Sequence, residues 1–184
     1  MTRHDSMRGW FAYELYQHMK KDKNIWLIVG DLGYKVFDRH REDFPDRFIN
    51  TGAAEQAMMG IAVGLAMEGK IPVVYSITTF LLYRPFETIR NYIDHEGWGV
   101  KLVGSGRNKD YAHDGFSHWS EDAYSFFYKP ASIDPVTGEL EDEKKEPAFF
   151  DNICNDWRTK KEEIPELMEE FLYCAAPHFL SLRR

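Results

Sequence analysis

Short apolar runs recur along the chain, separated by stretches with helical patterning. The runs are Ile25-Trp26-Leu27-Ile28-Val29, Phe48-Ile49, Ile71-Pro72-Val73-Val74-Tyr75-Ser76, Val100-Lys101-Leu102-Val103-Gly104 and Phe179-Leu180-Ser181-Leu182. They are largely continuous, the pattern of strands covered on both faces in a parallel sheet. Pro72 stands near the start of its run, where a strand tolerates it. Between the runs lie helices. Residues 6–21 form one, with Ser6 as cap, Trp10, Phe11, Tyr13, Leu15 and Met19 as apolar positions, and Lys20 and Lys21 at the C-terminal end. A small-residue helix begins near Glu55 and sets Ala54, Met58, Ile61 and Leu65 on one face. Another runs through Phe86, Ile89, Arg90 and Ile93 and breaks at Gly97. Further helices are expected from about Ser120 to Phe127 and from Ile164 to Tyr173, while residues 34–46 read as a surface helix or loop. Strands alternating with helices predict an α/β fold, a parallel sheet with helices on both faces.

Two stretches depart from this rhythm. Gly60 and Gly64, with Ala62 and Ala66, give the helix after Glu55 a thin side. That side either packs on the chain's own sheet or meets a second copy or partner subunit. Residues 134–147 are rich in Glu, Asp and Lys with two Pro, and read as an exposed excursion within a single domain spanning 1–184.

Composition narrows the function. The chain has 184 residues, 43% of them hydrophobic and 15% aromatic, which suits a packed core and argues against disorder. A formal net charge of −7 with no basic stripe excludes nucleic acid and anionic membrane as expected partners. No apolar run approaches the roughly 20 residues that span a bilayer. The N-terminus lacks the apolar core of a signal peptide, so a cytoplasmic location is the expectation. Cys154 and Cys174 form no CxxC and read as buried, reduced thiols.

Candidate chemistry collects at one place. Asp31, Glu55, Phe80, His113 and His118 each lie beyond the end of a predicted strand. In a parallel sheet those positions share the edge along which ligands bind. Glu55 sits in the first turn of its helix. The helix N-terminus favours its carboxylate, and burial against an apolar surface favours the acid.

The segment Asn50-Thr51-Gly52-Ala53-Ala54-Glu55-Gln56-Ala57-Met58 resembles the motif of the pyrimidine-binding domain in the transketolase group of thiamine diphosphate enzymes, which includes 1-deoxyxylulose-5-phosphate synthase. The resemblance continues through Lys70 to Ser76, Phe80, Val100 to Gly104 and Asp114-Gly115-Phe116-Ser117-His118, covering residues 24–128 and faintly 177–183. It implies that Glu55 faces N1′ of the cofactor's aminopyrimidine and supports the shift that lets the 4′-nitrogen take the C2 proton. It also implies that Phe80 stacks on the ring, with Ile77 and Tyr83 lining the same pocket at three-residue spacing. Position 77 is often aromatic in transketolases. His118 aligns with the histidine of the family's Gly-Pro-Thr-His segment, where it contacts substrate, although Phe116 and Ser117 replace the proline and threonine. His113 is a second substrate candidate. Asp31 matches an aspartate that follows the first strand in transketolases, at shorter spacing from the glutamate.

The family binds the cofactor's diphosphate and Mg²⁺ through a Gly-Asp-Gly segment with a later Asn. Gly30-Asp31-Leu32 is not that segment. The resemblance therefore implies half an active site, with thiamine diphosphate and Mg²⁺ held mainly by a diphosphate-binding partner subunit. The expected assembly is α2β2, containing a homodimer of this chain. The expected reaction is transfer of a two-carbon ketol unit between sugars, as sugar phosphates, or from a keto acid. Split transketolases usually append a third domain, so with the chain stopping at Arg184 that domain is expected to be missing or to belong to another chain. Two other readings stay open: a subunit of a two-component keto-acid decarboxylase, and a non-catalytic α/β binding module.

Overall fold

The computed structural model describes residues 3–127, 150, 152–157 and 160–183. The excursion expected at 134–147 lies outside the described residues. Helix α1 (Met7–Lys21) is capped by Ser6, whose side chain accepts a hydrogen bond from the Gly9 amide. It is followed by β1 (Ile25–Val29), α2 (Asp38–Asp43), β2 (Phe48–Asn50), α3 (Glu55–Met67), β3 (Ile71–Ile77), α4 (Thr78–Tyr83) and α5 (Phe86–Thr88). Then come a π-helical segment (Ile89–His95), β4 (Lys101–Ser105), β5 (Cys154–Asp156), α6 (Ile164–Tyr173) and β6 (His178–Leu182). The six strands make one sheet in the order β2-β1-β3-β4-β6-β5, with every neighbouring pair parallel.

Successive side chains leave a strand on opposite faces, so each apolar run feeds two cores. Leu27, Val29, Val73, Tyr75, Val103 and Leu180 meet α1 and α6 on one face. There Phe11 packs edge-on against Phe171 at 6.1 Å between ring centroids. Ile28, Val74, Leu102 and Phe179 meet α3, α4 and the π-helical segment on the other. Lys101 interrupts the β4 run without disturbing it. Its Nζ donates to the Cys174 and Ala176 carbonyls at 2.6 and 2.7 Å, tying the start of β4 to the turn before β6. Burial pulls its pKa down to about 8.

Several expectations need correction. The buried face of α3 is Glu55, Met58, Met59, Ala62 and Val63; of the expected stripe Met58 lies on it, Leu65 is half-buried, and Ala54 and Ile61 are exposed. Ile61 is 38% exposed. Helix α3 is turned so that the carboxylate of Glu55 points inward, and the positions at spacings of three and four from it follow. Gly60 and Gly64 consequently face outward, and a Cβ at either would meet nothing within 4 Å. The two glycines of the thin side are therefore not packed on the chain's own sheet, whereas Ala62 is fully buried in that core. The helix expected at 120–127 is only a 3₁₀ turn, Ala123–Phe126. Neither thiol is buried as expected: Cys154 is exposed and Cys174 half-buried. The short edge strand β5 was not legible, because Cys154-Asn155-Asp156 carries no apolar signal.

Candidate active site

With all strands parallel, the loops leaving their C-terminal ends line one edge. The loop between β2 and α3 is shaped by Asn50. Its Oδ1 accepts the amides of Asp31 and Gly52, each at 3.0 Å, and Gly52 takes φ +68°, which favours glycine. Helix α3 then starts on Glu55, which is only 2% exposed. Beside it, a Cβ at Gly30 would lie 3.5 Å from Glu55 Oε1 and 3.5 Å from the buried Ser76 Oγ.

Strand β3 passes directly into α4, with Ile77 as the cap residue at φ −64°, ψ 138°. The first turn of α4 thereby carries Phe80 to the sheet edge, half-buried. Four residues on, Arg84 folds back over it. Its guanidinium carbon lies 3.8 Å from the centre of the Phe80 ring, and its Nη1 donates to Glu55 Oε2 at 2.7 Å. A charge-assisted hydrogen bond and a cation–π contact thus share one guanidinium.

The third wall is the loop from Gly106 to Ser120, closed by the Ser120 amide donating to the Asn108 carbonyl at 2.9 Å. Two threonines at the start of α4 hold it. Thr78 Oγ1 donates to the Gly106 carbonyl at 2.7 Å, and Thr79 Oγ1 to the Ser117 carbonyl at 3.2 Å. These contacts place His118 edge-on to Phe80 at 4.9 Å between ring centroids. Ser117 Oγ lies 3.0 Å from His118 Nδ1. A cleft of about 540 Å³ opens here, lined by Thr79, Phe80, Tyr83, Arg84, Phe116, Ser117, Trp119, Glu121 and Asp122. Tyr83 packs on Phe126 at 4.8 Å. Its hydroxyl is held well above the usual phenol range, first by burial and then by the hydrogen bond to Asp122.

Glu55, Phe80, Tyr83 and His118 are thus brought to one place. Phe80 and Tyr83 line the cleft, and Glu55 and His118 join it through their contacts with Arg84 and Phe80. The other candidates stand apart from it. Ile77, 5% exposed, does not line the cleft. Asp31, at φ 55°, lines a separate small cleft of about 110 Å³ with Asn50, Tyr34 and Phe48. His113 pairs with Asp114, its Nε2 at 3.1 Å from the carboxylate. Sequence reasoning missed Arg84. The available signal was its spacing, four residues beyond an aromatic on a short helix. Among the described residues, no three His, Cys, Asp or Glu side chains are grouped to hold a metal, and no helix is long and apolar enough to cross a membrane.

The profile of the family described as "Transketolase, pyrimidine binding domain" matches residues 5–132. A 33.6 kDa protein from the fasciation locus of Rhodococcoides fascians is 34% identical over 117 residues, covering 64% of this chain and 38% of that protein. A transketolase C-terminal section from Methanocaldococcus jannaschii is 36% identical over 113 residues, covering 61% of this chain and 36% of that protein. The chain therefore spans little more than a third of these relatives. Among solved structures, a split-gene transketolase described as an inactive beta4 tetramer superposes with a TM-score of 0.75 at 22% identity, over 97% of this chain and 51% of that one. That likeness is one of fold, and it includes the parallel sheet described above. The match over residues 5–132 contains the loops that carry Glu55, Phe80 and His118 to one sheet edge, and on it the chain belongs to the transketolase pyrimidine-binding domain family.

Proposed function

We propose that this chain acts as one pyrimidine-binding unit, the subunit of a split, transketolase-like thiamine diphosphate enzyme that moves a two-carbon ketol unit between sugars or from a keto acid. The observation that carries the reading is the pairing of a buried carboxylate, Glu55, with an aromatic face, Phe80. A planar cation already lies on that face at 3.8 Å. A flat, protonatable heteroaromatic ring fits the same two surfaces. The cofactor supplies the carbanion chemistry of the transfer.

This chain's own residues have narrower tasks. Glu55 holds the proton at ring N1′, Phe80 supports the ring face, and Tyr83 closes the cleft beside it. His118, edge-on to Phe80, hydrogen-bonds a substrate oxygen, and His113 of the same loop is the second substrate candidate. Ile77, 5% exposed, serves as the cap residue that turns β3 into α4 and brings Phe80 to the sheet edge. Asp31 lines the separate small cleft and acts on the loop before α3 through the bond from its amide to Asn50. Mg²⁺ and the diphosphate are assigned to a partner subunit within an α2β2 assembly in the cytoplasm. The outward-facing Gly60, Ile61 and Gly64 leave one side of α3 open to a second chain.

The test is product analysis of the chain mixed with a diphosphate-binding partner, using a ketose or keto-acid donor and an aldehyde acceptor. A lengthened ketose that disappears with Glu55→Ala supports transfer. Free aldehyde released from a keto acid, with no ketose, points instead to a decarboxylase.

A further inference from the structure

The position of Arg84 carries a further inference. Glu55 is 2% exposed, and the guanidinium of Arg84 is the cationic partner of its carboxylate at 2.7 Å. The same guanidinium lies over Phe80, with its carbon 3.8 Å from the ring centre. It therefore covers both surfaces that a pyrimidine ring needs, the carboxylate and the aromatic face. A ring seated between them must first displace it. Arg84 is itself 45% exposed on its side chain, so an outward path is open. The carboxylate behind it is held by the fold, since Glu55 begins α3 on its buried face, beside Gly30, where an added Cβ would stand 3.5 Å from Oε1. One partner is buried and the other reaches solvent, which is the arrangement of a latch.

We infer that Arg84 is a displaceable latch on the pyrimidine seat: it satisfies Glu55 and covers Phe80 in the free subunit, and it competes with the incoming ring for both. This rests on the proposed function. The latch keeps a buried carboxylate from standing unpaired before the cofactor arrives, which is costly in a water-poor site. It also lowers apparent affinity by the fraction of subunits in which the seat is covered. Other cations near the cleft are engaged elsewhere. Lys109 Nζ lies 3.4 Å from Glu121 and 4.6 Å from the Trp119 ring.

The test uses the ring alone, 4-amino-5-hydroxymethyl-2-methylpyrimidine, titrated into the full chain and followed by protein NMR shifts. Variants are Arg84→Met, which keeps the length and removes the charge, and Glu55→Gln. The latch predicts that Arg84→Met binds the ring about fivefold more tightly or better, while Glu55→Gln weakens binding. Loss of folding would weaken binding, so a gain in affinity cannot come from a damaged structure. Equal or weaker binding by Arg84→Met, with Glu55→Gln still impaired, overturns the latch and leaves the pyrimidine seat standing. Binding to neither wild type nor Arg84→Met overturns the seat and the latch together.

Discussion

The imidazole of His118 meets the ring of Phe80 edge-on, at 4.9 Å between centroids and 67° between planes. The contact couples the first turn of α4 to the loop that follows β4, and Thr79 secures it by holding the Ser117 carbonyl at 3.2 Å. His118 touches the ring of Phe80 without covering its face. Replacing His118 by Asn is therefore expected to lower kcat by about 10²-fold or more while cofactor affinity changes little. Phe80→Ala is expected to weaken cofactor affinity. Steady-state kinetics at several cofactor concentrations, with the partner present, separates the two effects.

Glu55→Gln preserves the size and the hydrogen-bonding reach of the side chain but cannot hold or release the proton. The expected loss in kcat is about 10²–10⁴-fold. Its folding is expected to persist, since the neutral amide removes a buried charge whose partner Arg84 reaches solvent. Circular dichroism alongside the rate assay checks both halves.

How much of this was legible beforehand varies with the physics of each element. The apolar runs from Ile25, Ile71 and Phe179 named their strands, because a strand buried on both faces tolerates few polar residues. Helix α6 was legible down to Pro165 in its first turn. The rotation of α3 was not, because a glycine- and alanine-rich helix has no marked apolar stripe and the inward-facing group is a carboxylate. Nor was Arg84, whose role depends on a contact across 29 positions of sequence to Glu55. Asp31 shared the predicted edge with Glu55 but turned into its own small cleft, a detail set by the bond from its amide to Asn50.

His40 gives a stability prediction in acid. It is fully buried, edge-on to Phe37 at 5.2 Å and to Tyr16 at 5.5 Å. Burial pulls its pKa from 6.5 to about 4. The unfolded chain therefore binds a proton between these values that the folded chain refuses. Stability is complete above pH 6.5 and falls as the pH drops towards 4, by about 3 kcal/mol in total. His40→Phe should flatten that slope in urea unfolding measured across this window. Lys101, with its pKa lowered to about 8, acts separately: stability should rise as pH climbs from about 8 to its ordinary 10.5.

Gly104 tests the packing that carries the site loop. A Cβ there would stand 2.6 Å from Thr78 Oγ1 and 3.1 Å from the Phe179 ring. Gly104→Ala should cost about 1–3 kcal/mol through overpacking. It should also loosen the Thr78 bond to Gly106 that positions the loop of His118. Adding Thr78→Ala should recover part of the packing loss but not the activity. Urea midpoints of the single and double variants decide this.

On the proposed reading this chain supplies the pyrimidine half of a shared cofactor site. Calorimetric titration of thiamine diphosphate with Mg²⁺ tests it most directly, into the chain alone and into the chain mixed with its diphosphate-binding partner. Saturable heat in the mixture only, abolished by Glu55→Ala or Phe80→Ala, is the predicted result. Tight binding to the chain alone, or no binding in the mixture, would contradict it.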